Sequence, residues 1–151
     1  RLLDMKVEPF LLGSVLNMAL AQRLARRICT FCKTEAKIEP SFMTELKERV
    51  KKIPVELIRK IIPDFDPEQL KLYRGEGCSH CGKTGYLSRI SIAEAIDFNQ
   101  EMKDLIVKKR GALTVEDVRS NQPFVTIEED GLIKALQGLT TLEEVMRVIQ
   151  N

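Results

Sequence analysis

The stretches Cys29-Thr30-Phe31-Cys32 and Cys78-Ser79-His80-Cys81 decide how this chain is read. They hold all four of its cysteines, as two C-x-x-C pairs. A tight turn sets two thiolates at one edge of a metal ion, and a second such turn completes the tetrahedron that Zn2+ favours in structural sites. Basic residues flank both pairs: Arg26, Arg27 and Lys33 at the first, Lys83 at the second. A four-thiolate zinc centre carries two net negative charges, which nearby cations and backbone N–H groups stabilise. Cys29, Cys32, Cys78 and Cys81 are therefore the candidate ligands. With four sulfurs around it, the ion has no position left for water or substrate, so the site reads as structural. His80 reads as solvent-facing or as a donor to a ligand, and Gly82 permits the positive φ that turns backbone N–H groups towards sulfur.

Composition narrows the class. The chain has 151 residues, is 44% hydrophobic and 30% charged, and carries a net charge of +2. These are the proportions of a soluble globular protein of one ordinary domain or two small ones. The near-balance of charge and the 5% of aromatic residues argue against nucleic acid as a partner. No apolar run approaches the roughly 18 residues that a membrane span needs, and no signal peptide is read. Paired C-x-x-C motifs without export features favour a reducing compartment and metal over disulfides. The opening Arg-Leu-Leu-Asp reads as an excised piece of something longer.

Along the chain, Pro9 suits the first turn of a helix. Leu12, Val15, Leu16, Ala19, Leu20 and Leu24 recur at helical spacing and predict an apolar face, with Arg23, Arg26 and Arg27 at its C-terminal end. Isolated, this helix would expose Leu12, Val15 and Leu16, which predicts self-association. Between the knuckles, Ser41 is the expected cap of a helix bearing Phe42, Leu46 and Val50, and Pro54 restarts a shorter one that ends at Pro63. Leu70 to Tyr73 reads as a short strand, and so does Tyr86 to Ile96. Beyond it, Asn99 and Thr114 start helices, and Gly111 stops the first of these. Thr126-x-x-Glu129 and Thr141-x-x-Glu144 read as capping boxes. The fold class expected is mixed α/β and helix-rich: a tetracysteine lobe, a short strand and a C-terminal helical bundle.

The chain is read as having no G-x-x-x-x-G-K-[ST] phosphate loop, so it is expected not to bind ATP in that manner, and no G-x-S-x-G, H-E-x-x-H or dinucleotide fingerprint is read in it. The residues alone also admit a zinc-ribbon module for nucleic acid and a rubredoxin-like iron site.

The chain resembles the C-terminal part of the type II secretion and type IV pilus assembly ATPases. The resemblance is carried by Ala21-Gln-Arg-Leu-Ala-Arg-Arg-Ile-Cys-Thr-Phe-Cys-Lys and by Leu72-Tyr-Arg-Gly-Glu-Gly-Cys-Ser-His-Cys-Gly-Lys-Thr-Gly-Tyr, continuing through Arg89-Ile-Ser-Ile-Ala-Glu-Ala-Ile. Glu129-Asp130-Gly131 and Gly138-Leu-Thr-Thr-Leu-Glu-Glu-Val complete it. It implies a fragment of a RecA-like hexameric motor, cytoplasmic and peripheral at the inner membrane, with Zn2+ on the four cysteines and ATP and Mg2+ bound only by the full-length parent. The partners it implies are the rest of the ATPase core, neighbouring subunits of a homo-hexamer and inner-membrane platform proteins. Arg1, Arg23 and Arg89 stand where nucleotide or subunit contacts are expected. The division expected is 1–28 as the end of the ATPase core, 29–82 as the zinc lobe with its helical insert, and 83–151 as a strand with helices. The 45 residues between the knuckles look longer than in many members.

Overall fold

Residues 18–28 carry good helix formers, yet they fold as a strand. In the computed structural model, which describes residues 5–109 and 113–150, β1 runs Met18–Ile28 and pairs with β4, Tyr86–Asp97, in a two-stranded sheet. The predicted long amphipathic helix is thus wrong beyond its first two turns. Helix α1 is confined to Pro9–Val15, with Pro9 in its first turn as expected. Ala, Leu and Arg favour helix only by tenths of a kcal/mol each, and a partner strand supplied from some sixty residues downstream overrides that preference.

The other elements lie close to their sequence signals. Between the knuckles come β2 (Lys33–Glu35), α2 (Pro40–Lys51), α3 (Val55–Ile61) and β3 (Tyr73–Gly75). Helix α2 starts one residue before the expected cap: Glu39 is the N-cap and Pro40 opens the first turn. Its buried face carries Leu46 and Val50, whereas Phe42 is exposed. Leu70 and Leu72 are buried, but the strand begins only at Tyr73. After β4 come α4 (Gln100–Lys109), α5 (Val115–Arg119), α6 (Ile127–Leu136) and α7 (Leu142–Ile149). Asn99 Oδ1 accepts the Met102 N–H at 2.9 Å, and Thr114 forms a capping box with Asp117. Gly111 and Arg1 lie outside the described residues.

The chain divides into two compact units, Arg1–Ala21 with Glu94–Thr126, and Gln22–Ala93 with Ile127–Asn151. The expected single C-terminal bundle is therefore split: α4 and α5 belong to the first unit, α6 and α7 to the second. The first unit is built on apolar packing. Leu12, Phe98, Met102, Ile106, Val118 and Phe124 form its core. Leu12 is thus buried and not displayed, while Val15 is 66% exposed. In the second unit, β2 and β3 pair antiparallel with Lys33 opposite Gly75 and Glu35 opposite Tyr73. That register places the chain just after the first knuckle beside the chain just before the second.

Candidate metal centre

The first knuckle follows the end of β1, so Cys29 takes the position after Ile28 and Cys32 the position before β2. The second lies between β3 and β4, with Ser79–Cys81 forming one 3-10 turn. Backbone bonds lock the two loops together. Cys29 N–H donates to Gly85 O at 2.9 Å and Glu76 N–H to Cys32 O at 3.0 Å. The two ends of the second knuckle loop approach so closely that a side chain on Gly75 would place its Cβ 2.0 Å from Gly85 O. Gly82 ends the 3-10 turn at φ 60°, the left-handed conformation expected for it.

This frame brings the four sulfurs to one point. Their Sγ atoms all lie within 4.8 Å of one another, and among the described residues this is the grouping able to hold a metal ion. Cys29 and Cys78 are 3.8 Å apart, Cys32 and Cys81 3.9 Å, and Cys78 and Cys81 3.8 Å. An ion bound tetrahedrally at about 2.3 Å to each sulfur requires edges of about 3.8 Å. A disulfide would require about 2.05 Å, and all four cysteines are free. The donor set and spacing therefore fit a tetrahedral thiophilic ion.

Backbone donors point into the cluster. Gly77 N–H reaches Cys32 Sγ at 3.3 Å, Cys78 N–H reaches Cys81 Sγ at 3.2 Å, and Gly85 N–H reaches Cys81 Sγ at 3.3 Å. The Cys78 N–H, helped by Gly85, holds the Cys81 thiol down at about 6. Burial pushes Cys32 up to about 12, against the pull of the Gly77 N–H. Without a cation the cluster resists becoming four thiolates at once, and a divalent ion removes that resistance. His80 is exposed and is not among the clustered ligand atoms; its ring stacks on Phe31 at 4.0 Å, joining the tips of the two knuckles.

The phosphate-loop pattern expected to be absent is present in its letters. Gly77-Cys78-Ser79-His80-Cys81-Gly82-Lys83-Thr84 does spell the letters G-x-x-x-x-G-K-[ST] of a phosphate loop. Its geometry is different. A phosphate loop leads into a helix whose free N–H groups cradle the anion, whereas this stretch leads into β4. The Gly77 and Cys78 N–H groups are spent on sulfur, Lys83 N–H on Cys78 O at 2.9 Å, and the Thr84 hydroxyl on Cys81 O at 2.6 Å.

Of the arginines singled out in the sequence, Arg23 is exposed on β1 and Arg89 is exposed on β4; neither joins the sulfur cluster. Arg26, read from the sequence as a basic neighbour of the first knuckle, has a partner the sequence did not indicate. Its backbone N–H donates to Glu144 Oε2 at 3.0 Å, its guanidinium to Glu144 Oε1, and it lies 4.3 Å from the Tyr86 ring centre. Arg147 grips the same carboxylate with Nε at 2.8 Å and Nη2 at 2.9 Å. Glu144 is 1% exposed, and the Arg147 and Arg26 guanidiniums hold it well below the usual carboxylate range against the opposing effect of burial. Thr141 still caps α7, accepting the Glu144 N–H at 3.3 Å, but the Glu144 carboxylate that the capping box needed is turned to the arginines instead. Asp130, part of the Glu129-Asp130-Gly131 signature, accepts the Ala93 N–H at 2.8 Å and pairs with Lys134.

A family model described as "Type II/IV secretion system protein" matches residues 1–147. The chain is 37% identical over 97% of its length to the "Type IV pilus assembly ATPase PilB" of Thermus thermophilus, covering 15% of that protein. It is 38% identical over 98% of its length to the "Type II secretion system ATPase E" of Vibrio cholerae, covering 26% of it. It is 33% identical over its whole length to the "Type IV pilus assembly ATPase PilB" of Pseudomonas aeruginosa, covering 24% of it. The chain thus spans about a quarter or less of these relatives. No helix among the described residues is long and apolar enough to cross a membrane.

Proposed function

Since this chain belongs to the type II/IV secretion system protein family, we propose that it is the zinc-bearing C-terminal part of a hexameric ATPase that drives type IV pilus assembly or type II protein secretion. Cys29, Cys32, Cys78 and Cys81 hold a structural Zn2+, and the observation that carries this is the convergence of all four sulfurs within 4.8 Å of one another, with three of the six edges at 3.8–3.9 Å. The ion fixes the fold of its own lobe and leaves no coordination position for chemistry. The piece does not hydrolyse ATP, because its one phosphate-loop-like stretch is committed to the cluster. ATP and Mg2+ belong to the remainder of the parent, at the cytoplasmic face of the inner membrane, and the partners are neighbouring subunits and membrane platform proteins. Arg1, Arg23 and Arg89 are the candidates for nucleotide or subunit contacts; the exposure of Arg23 and Arg89 leaves them accessible to such partners.

Metal analysis of the purified chain tests the first half: one Zn2+ per chain is expected, and a red, visibly absorbing protein would mean iron in its place. An ATPase assay tests the second half, where turnover by this piece would contradict the assignment.

A further inference from the structure

The sulfur cluster and the α6–α7 hairpin share one hydrogen-bonded frame. The residues bordering the first knuckle are both tied to the turn between these helices. Ile28 N–H donates to Leu139 O at 2.9 Å, and the Lys33 ammonium donates to Gln137 O at 3.2 Å while lying 4.3 Å from the Tyr73 ring centre. The Thr140 hydroxyl donates to Arg26 O at 2.8 Å. From the second knuckle, Gly85 bonds Cys81 through its N–H, and its neighbour Tyr86 meets the Thr141 hydroxyl at 2.9 Å. Arg26 lies over the Tyr86 ring and ends on Glu144 of α7.

We infer that Glu144 is a positioning residue for the sulfur cluster, so that metal binding and the seating of α7 are coupled through Arg26 and Tyr86. This rests on the zinc reading above and adds a regulated element to it. The physical ground is the burial of Glu144. A buried carboxylate keeps its charge only while its partners stay in place, so α7 and the end of β1 hold one another in register. Cys29 follows that end by one residue beyond Ile28. Seating α7 thus preorganises a ligand, and metal binding, by linkage, tightens α7 by the same factor.

The test uses the 151-residue chain. Zn2+ affinity is measured by competition with a chromogenic chelator, and amide exchange of Val145–Ile149 is measured with and without metal. Glu144→Gln is expected to weaken Zn2+ binding on the order of tenfold, and metal removal from the wild type is expected to speed α7 exchange by the same factor. Exchange in α3, which makes none of these bonds, should respond less, whereas a mere loss of stability would speed both helices alike. Glu143→Gln, at an exposed neighbouring position, should change neither quantity. If Glu144→Gln does not fold, Tyr86→Phe removes only the bond to Thr141 and should lower the affinity severalfold. Wild-type chain that binds Zn2+ while α7 exchange ignores the metal, or variants with unaltered affinity, would overturn the inference and leave the zinc reading standing. Wild-type chain that binds neither Zn2+ nor Co2+ would remove both.

Discussion

Both units of this chain bury apolar side chains, but the second adds a sulfur cluster and a buried, doubly paired carboxylate. In the first, six apolar side chains from α1, α4, α5 and the adjoining segments form the core. The second also buries apolar side chains, among them Leu46, Ile58, Ile133 and Val145, but adds four clustered sulfurs and a buried carboxylate between two arginines. An apolar core loses stability by increments as side chains are trimmed. A metal centre or a buried charge fails as a unit when one member is removed. The second unit should therefore be the more fragile to point changes at its polar centres and the more responsive to solution conditions.

The largest expected effect is loss of the metal. Chelation, or Cys78→Ser with Cys81→Ser, forfeits a binding energy on the order of ten kcal/mol. Amide exchange should then rise throughout β2, β3 and the knuckles, and far less in α4. Equal loss of protection in both units would dissolve the contrast. Next comes the apolar core: Met102 is fully buried, and Met102→Ala should cost about 2–5 kcal/mol. A thermal melt reads this loss, and metal content should stay at the wild-type level.

Gly75→Ala follows, because its Cβ would collide with the Gly85 carbonyl. A strain of about 1–3 kcal/mol should appear as weakened Zn2+ affinity in the chelator competition. The smallest effect belongs to pH in the first unit. Lys109 and the Thr114 N–H hold the Asp117 carboxyl down at about 2. Because its folded value is depressed, its stabilisation is full above the ordinary aspartate value near 3.9 and is lost as pH falls towards about 2. The melting temperatures of the wild type and Asp117→Asn should differ at pH 6 and converge below pH 3. A gap that persists at pH 2 would mean that the carboxylate charge is not what stabilises this cap.

How far each feature could be read from the chain depended on the range of its cause. The two C-x-x-C pairs announce their chemistry because two ligands in one turn are a local pattern that few other roles require. Asn99 and Thr114 were legible as caps for the same reason: the N–H each one satisfies lies three residues away. The strand at Tyr86–Asp97 showed itself through alternating isoleucines. In contrast, Met18–Ile28 misled, because its helix-like spacing says nothing of the partner strand. The Gly77–Thr84 pattern shows the reverse failure, where letters that suit one loop serve another because cysteines claim the backbone.

What could be known from residue order alone was which side chains carry the metal chemistry and where most of the helices after β4 begin, since both follow from groups a few residues apart. Folding in three dimensions settled the rest. Cys29 meets Cys78 across 49 positions, and Arg26 meets Glu144 across 118. The conversion of β1 to a strand has no local cause, and neither has the hold of Arg26 on Glu144, which joins the local pull of Arg147 in diverting that carboxylate from its own capping box. Each comes from a partner brought near by the chain's path, and pairing with that partner outweighs the few tenths of a kcal/mol by which a residue's own preference speaks.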